Sequence, residues 1–314
     1  MNTVVAKKEK DILKLLPHPK VPPKLTPRRI GIHTSTAGGV EEAAERAYRL
    51  GCNTFQIFSS SPRQWAPYEL GRAQCEQMSR LREHYDLRPL VIHANYLVNL
   101  AGGNAEFHPK SIAAFRGEVE RALALRAEFL VVHPGSFRGS SREEGLRRAA
   151  LAIEQAVDGL NVWSSGLRVL IENTAGSEFS LGGNFEQVAE LLSLLRDFVP
   201  VGACIDTCHT HVSGYDIVSD QGFSDTLDQL DRTVGLSNVY VWHCNDAKAA
   251  RGSKLDRHQH IGKGSIGPKP FRRLLSDSRL ADAAFIAETP IDEPLDDLRN
   301  VRALKALAPK EGSR

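Results

Sequence analysis

Arg168-Val-Leu-Ile-Glu172 and, beyond one amphipathic stretch (Phe185–Arg196), Val201-Gly-Ala-Cys-Ile-Asp206 are short apolar runs that each end on a carboxylate. Continuous apolar runs of this length between helical patterns read as parallel strands buried on both faces. The rhythm extends in both directions. Arg29–His33, Thr54–Phe58, Leu90–His93 and Phe129–His133 precede these two runs, and Val239–His243 and Ala284–Glu288 follow them. Helical patterns at Val40–Leu50, Ser111–Ala127, Ser141–Val157 and Phe223–Leu230 fill the intervals, and Gly51 stands where a helix C-cap is expected. Eight strand–helix units over roughly 260 residues predict a single-domain (β/α)8 TIM barrel. A doubly wound open sheet is the competing architecture. Its Gly-x-Gly-x-x-Gly fingerprint is missing after the first strand, where His33-Thr-Ser-Thr-Ala-Gly-Gly39 leads into a helix.

Residues 1–29 stand apart from this pattern. They carry eight Lys/Arg and two Asp/Glu, a net of +6 in a chain whose total is +2. The remaining residues therefore sum to −4, so overall charge does not argue for nucleic-acid binding. Pro17, Pro19, Pro22, Pro23 and Pro27 forbid a continuous helix, although Lys7 to Leu16 could form a short one. The segment is expected to be a flexible basic extension, either solubilising or in nonspecific contact with phosphates, with residues 30–314 as the barrel domain. No apolar run is long enough to span a membrane, and no secretory pattern follows Lys7, Lys8 and Lys10. The five cysteines are odd in number and form no Cys-x-x-Cys pair. Together these features predict a cytoplasmic protein with reduced, packed thiols.

Strands three to eight end in His93, His133, Glu172, Asp206, His243 and Glu288. Strand C-termini converge on one face of a barrel, so topology alone would gather six metal-capable side chains. Two loop clusters enlarge the set. Asp206-Thr-Cys-His209 adds His209 at the start of the segment after strand six. Asp256-Arg-His258 lies in a long glycine-containing loop after strand seven. His33, His211 and His260 are expected to support this set rather than ligate. Five histidines and four carboxylates are too many for one ion. Three zinc ions sharing one carboxylate would use all nine and leave room for water. Such a centre attracts an anion and activates water, which is the chemistry of phosphodiester hydrolysis.

These residues resemble the endonuclease IV family, the metal-dependent apurinic/apyrimidinic endonucleases. The resemblance runs from about Arg29 to Ala308 and rests on Gly31-Ile-His-Thr-Ser-Thr-Ala-Gly-Gly39, Arg63-Gln-Trp65, His93-Ala-Asn-Tyr-Leu97, His133-Pro-Gly-Ser136, Glu172-Asn-Thr-Ala-Gly176, Cys204-Ile-Asp-Thr-Cys-His209, His243-Cys-Asn-Asp-Ala-Lys248, Asp256-Arg-His258 and Ala287-Glu-Thr289. It implies one zinc on His93, His133 and Glu172. It implies a second on Glu172, Asp206, His243 and Glu288, and a third on His209, Asp256 and His258. Glu172 is then the catalytic bridging carboxylate that positions the attacking hydroxide. The implied substrate is duplex DNA with abasic sites or blocked 3′ ends, cut 5′ to the lesion to leave a 3′-hydroxyl and a 5′-deoxyribose phosphate. Manganese is a conceivable substitute for zinc, and a monomer is expected.

The resemblance also assigns DNA contacts to Arg63, Gln64, Tyr96 and Leu97, with Trp65 as support for its loop. Two departures stand out. Ser59-Ser60-Ser61 replaces a Lys and an Asn frequent in relatives, which implies weaker backbone contacts. Lys263 stands where many relatives have Glu and is expected to be solvated. The alternatives are a metal-dependent sugar isomerase or epimerase on the same barrel and a non-catalytic damage-binding protein. Neither has a use for the complete nine-ligand set.

Overall fold

The computed structural model describes residues 9–61, 64–65 and 68–310. Eight parallel strands form the barrel: β1 (Arg29–Ile32), β2 (Phe55–Phe58), β3 (Leu90–His93), β4 (Phe129–Val132), β5 (Arg168–Glu172), β6 (Val201–Asp206), β7 (Val239–His243) and β8 (Ala284–Ala287). They pair in the order β1-β8-β7-β6-β5-β4-β3-β2. The TIM barrel expected from the strand rhythm is therefore the architecture of the chain, and it is a single domain. Helices on the outside include Glu42–Leu50, Arg72–His84, Phe107–Ala124, Arg142–Val157, Phe185–Leu195, Asp220–Thr233 and Asp296–Leu307. The helix expected to begin at Ser111 starts at Phe107, because the Asn104 side chain accepts the N–H groups of Glu106 and Phe107 at 2.9 and 3.0 Å.

Alternation along the strands explains what lies inside. Val91, Val131, Leu170, Cys204, Val241, Ala284 and Ile286 form a small buried cluster within the barrel. The intervening residues, such as Ile92, Leu130, Val169, Ile205 and Phe285, join the larger core under the helices. Side chains of a strand point the same way every second residue. His93, His133, Glu172, Asp206, His243 and Glu288 each follow an interior core residue by two, so all six point into the mouth. Four are the last residues of their strands. His133 and Glu288 lie one position beyond theirs.

The seam between β1 and β2 is the thinnest part of the barrel. It is joined by one parallel bridge, His33 to Gln56. The Asn53 side chain reinforces it, accepting the Ile30 N–H at 2.6 Å and donating to the Arg28 carbonyl at 3.0 Å. Gly31 lies at the same seam, where a Cβ would approach the Thr54 carbonyl oxygen to 2.1 Å. Only glycine permits that approach.

From Glu9 onward the N-terminal extension packs against the barrel. Asp11 pairs with Arg46 at 3.0 Å and caps a single helical turn, Ile12–Leu15. Ile12 is buried. Arg49 donates to the carbonyls of Leu13 and Leu16 at 3.0 and 2.7 Å. Arg28 is buried and donates to the Leu275 and Asp277 carbonyls. The reason is that arginines of the Glu42–Leu50 helix satisfy the backbone of a segment that its prolines keep from pairing with itself. Residues 1–8, with Lys7 and Lys8, lie outside the described residues. No helix among the described residues is long and apolar enough to cross a membrane.

Candidate metal centre

Glu172 occupies the middle of the barrel mouth and is completely buried. Its Oε2 lies 3.1 Å from His93 Nε2 and 3.0 Å from His133 Nε2. Its Oε1 lies 2.9 Å from His243 Nδ1 and 3.4 Å from His209 Nδ1. One carboxylate thus faces two separate groups of imidazoles. Among the described residues, five groups of ligand atoms lie within 4.8 Å of one another: His93, His133 and Glu172; Glu172, Asp206, His243 and Glu288; Asp206, His209 and His258; Glu172, Cys204 and His243; and Cys208, Asp256 and His258. Asp256 adjoins the third, 3.2 Å from His209 Nε2 and 3.3 Å from His258 Nε2. All nine candidate ligands are therefore gathered in one place.

Local structure explains several of these positions. Asp206 is the N-cap of the short helix Thr207–Ser213, and its Oδ1 accepts the His209 N–H at 2.8 Å. A cap bonds the first turn of its helix, so the same aspartate that enters the centre also orients His209 beside it. Asp256 and His258 arrive on the long loop after β7. Gln259 and His258 pair antiparallel with Asp246 and Ala247. Buried Asp246 clasps the far end of that loop by accepting the N–H groups of Gly264, Ile266 and Gly267.

The histidines are held as ligands are held. His93 Nδ1 is 2.8 Å from the Ala94 carbonyl, His209 Nδ1 is 2.9 Å from the Asn173 carbonyl and His258 Nδ1 is 3.0 Å from the Glu288 carbonyl. His243 Nε2 is 2.8 Å from Gln56 Oε1. In each ring the nitrogen that faces away can donate to a carbonyl oxygen, leaving the other with a lone pair aimed into the centre. That anchoring is the usual support of metal-bound imidazole. His258 Nε2 is moreover buried without a hydrogen-bond partner, yet it lies 3.6 Å from Asp206 Oδ2. A nitrogen set between Asp206 and Asp256 is completed either by a proton or by a metal cation. The donor set of imidazole nitrogen and carboxylate oxygen fits zinc.

The electrostatics agree. Burial pushes Glu172 towards the neutral acid, but His243, His133 and His209 outweigh it and hold the carboxyl well below the usual range. Burial disfavours charge on His209, but Asp206, Asp256 and Glu172 raise its pKa well above the ordinary imidazole value. The same opposition raises His258 to about 9. Glu172 is thus held as the anion, facing imidazoles that its charge in turn favours in their protonated form.

Comparison with known proteins places the chain. The family model described as xylose isomerase-like TIM barrel matches residues 44–308. A protein of Solibacter usitatus named probable endonuclease 4 is 49% identical over 282 residues, which is 89% of this chain and 97% of that protein. The chain belongs to the endonuclease IV family. A second relative of that name, from Cenarchaeum symbiosum, is 40% identical over 89% of this chain and 99% of its own length. The crystal structure of endonuclease IV from Thermus thermophilus superposes with a TM-score of 0.78 at 40% identity, covering 89% of this chain and 98% of that one. A D-tagatose 3-epimerase-like protein, 20% identical with a TM-score of 0.65, shares the fold.

Around the nine candidate ligands of this endonuclease IV chain lie residues that sequence reasoning passed over. Gln56, on β2, donates 2.5 Å to Glu288 Oε1 and accepts from His243. Asn245 Nδ2 donates to Asp206 Oδ2 at 2.7 Å, and its Oδ1 accepts the Glu288 N–H at 2.7 Å. Asn173 Oδ1 accepts the Asp206 N–H at 2.7 Å. Asn173 and Asn245 sit within the Glu172–Gly176 and His243–Lys248 motifs, close to a ligand, and that position was the available signal. Gln56 was visible only as a polar residue at an inward position of an apolar strand.

His33 accepts from Gln56 at 3.0 Å, and burial lowers its pKa. His211 and His260 contact Ser265 and Asn300 respectively. Cys204 lies in the layer beneath the centre, where burial pushes its thiol up to about 12. Tyr96 is exposed beside His93 and packs edge-on against Phe58. Leu97 is half-buried, and Gln64 and Lys263 are exposed. Arg63 lies outside the described residues.

Proposed function

We propose that this chain is a metal-dependent DNA-repair endonuclease. It hydrolyses the phosphodiester 5′ to an abasic site in duplex DNA, giving a 3′-hydroxyl and a 5′-deoxyribose phosphate. It removes blocking groups from 3′ ends by breaking the same bond. Residues 30–314 form the catalytic unit. The observation that carries this reading is the convergence of eight donors into three groups that share Glu172 and Asp206, with Asp256 beside His209 and His258 of the third. In this reading His93, His133 and Glu172 hold one zinc ion. Glu172, Asp206, His243 and Glu288 hold a second, and His209, Asp256 and His258 a third. Manganese can substitute for part of the set. Bound there, the ions supply Lewis-acid stabilisation of phosphate oxygens and an activated water.

The chain's own residues do the rest. Glu172 would be shared between two of these ions, while Asn245 and Gln56 keep Glu288 and His243 in place. Tyr96 and Leu97, with Arg63 and Gln64 on the neighbouring loop, engage the duplex. An abasic nucleotide lacks base stacking and is cheap to extrude, and an exposed aromatic wedge can hold the gap.

Two measurements test this. The purified chain should carry about three zinc equivalents and nick a duplex with one abasic site. Glu172→Gln should lose more than about 10²-fold of that activity while its circular dichroism stays unchanged. One ion per chain together with sugar isomerisation would overturn the assignment.

A further inference from the structure

Two loops rise beside the metal centre, one after β2 and one after β3, and the buried side chain of Asn95 bonds to both. Asn95 Nδ2 donates to the carbonyls of Ser61 and Gln64, both at 3.0 Å. Its Oδ1 accepts the Leu97 N–H at 2.8 Å. The root of the β2 loop is held from the other side by the Phe107–Ala124 helix. There Glu118 and Arg121, one turn apart, form an ion pair at 3.0 Å that is 1% and 9% exposed. The pair is completed from the loop. The Ser59 hydroxyl donates to Glu118 and accepts from Arg121 Nε at 2.7 Å. The Ser60 hydroxyl donates to Glu118 Oε1 at 3.3 Å.

A buried ion pair must recover the desolvation of two charges, so it contributes little to stability and much to one particular geometry. Packing does not set the loop's position. A groove of about 260 Å³, lined by Ser60, Trp65, Asn95, Lys110, Glu118 and Arg121, separates loop from helix. Hydrogen bonds are what hold the loop across that gap. Ser59 and Ser60 therefore face inward as anchors.

We infer that Asn95 and the Glu118–Arg121 pair are positioning residues for duplex recognition, holding the β2 and β3 loops as one unit over the metal centre. The inference rests on the reading in which Gln64, Tyr96 and Leu97 meet the duplex. Asn95 ties Gln64 to Leu97, so losing that side chain loosens one contact surface from the other. Approach to the reacting phosphate is affected, whereas the nine candidate ligands are untouched.

The test uses the metal-loaded full chain and an abasic duplex. Asn95→Ala should raise KM about tenfold with kcat within about twofold of the parent, unchanged metal content, and faster hydrogen exchange at residues 59–65. The double variant Glu118→Gln with Arg121→Gln, which leaves no uncompensated buried charge, should behave in the same way. An unchanged KM in both, alongside Tyr96→Ala that does raise KM, overturns the inference. An unchanged KM in Tyr96→Ala and Gln64→Ala overturns the duplex reading instead. A loss of metal content or of kcat in Asn95→Ala also overturns the inference, because the residue would then act on the centre itself.

Discussion

At the scale of single residues, the centre depends on neutral amides as much as on its charged groups. Gln56 uses its donors on His33 and Glu288 and its acceptor on His243. Removing it frees the His243 ring and leaves Glu288 without one of its partners. Gln56→Ala should weaken metal retention about 10- to 100-fold, read as a shift in the chelator concentration that strips the chain. Retention equal to the parent would show that the ring is fixed by ligation alone. The candidate ligands were legible in the sequence because imidazole and carboxylate at successive strand ends seldom serve packing. Gln56, Asn173 and Asn245 were not. An amide has no chemical signature of its own, and its role exists only once His243, Asp206 and Glu288 are in place around it.

At the scale of elements, the strands were legible for a simple reason. Interior residues such as Val131, Leu170 and Val241 are flanked by outward residues that are equally buried against helices, so each strand reads as one apolar run. What the runs did not reveal was how the last pair of strands closes. β1 and β2 share one bridge, and Asn53 supplies from its side chain the hydrogen bonds that a longer ladder would supply from the backbone. Asn53→Ala would leave the buried Ile30 N–H without its side-chain acceptor. The expected cost is about 1–3 kcal/mol, measured as a lower urea midpoint with unchanged slope. A change below about 0.5 kcal/mol would mean that the bridge alone seals the barrel. Asn53 sits next to a turn, where its amide suggested only a loop residue.

At the scale of the whole molecule, the extension from Glu9 onward is held by contacts that proline content and charge do not announce. Its docking depends on Arg46 and Arg49, which on an amphipathic helix look like ordinary solvent-facing cations. Arg46 also donates to the carbonyls of Ser35 and Ala37 in the loop after β1, and Lys10 donates to the Ile291 carbonyl beyond β8. Glu9 therefore begins at the mouth of the barrel, on the side of the metal centre. Deleting residues 1–8 keeps the docked segment and removes only Lys7 and Lys8 among the side-chain cations. If those two meet phosphates, the slope of log affinity against log salt for duplex binding should fall by about 2, with turnover at saturation unchanged. An unaltered slope would leave the extension a purely structural strap.

The path of that strap separates Glu9 from the last turn of the C-terminal helix. It leaves the mouth at Lys10, descends beside the Glu42–Leu50 helix and enters β1 at the opposite rim. At that rim Lys305, in the last turn of the C-terminal helix, donates to the Gly51 carbonyl at 2.8 Å. A fluorophore attached at Glu9 would therefore sit beside the metal centre, where the duplex arrives in the proposed reading, whereas one attached in the last turn of the C-terminal helix would sit on the far side of the barrel and leave that opening clear.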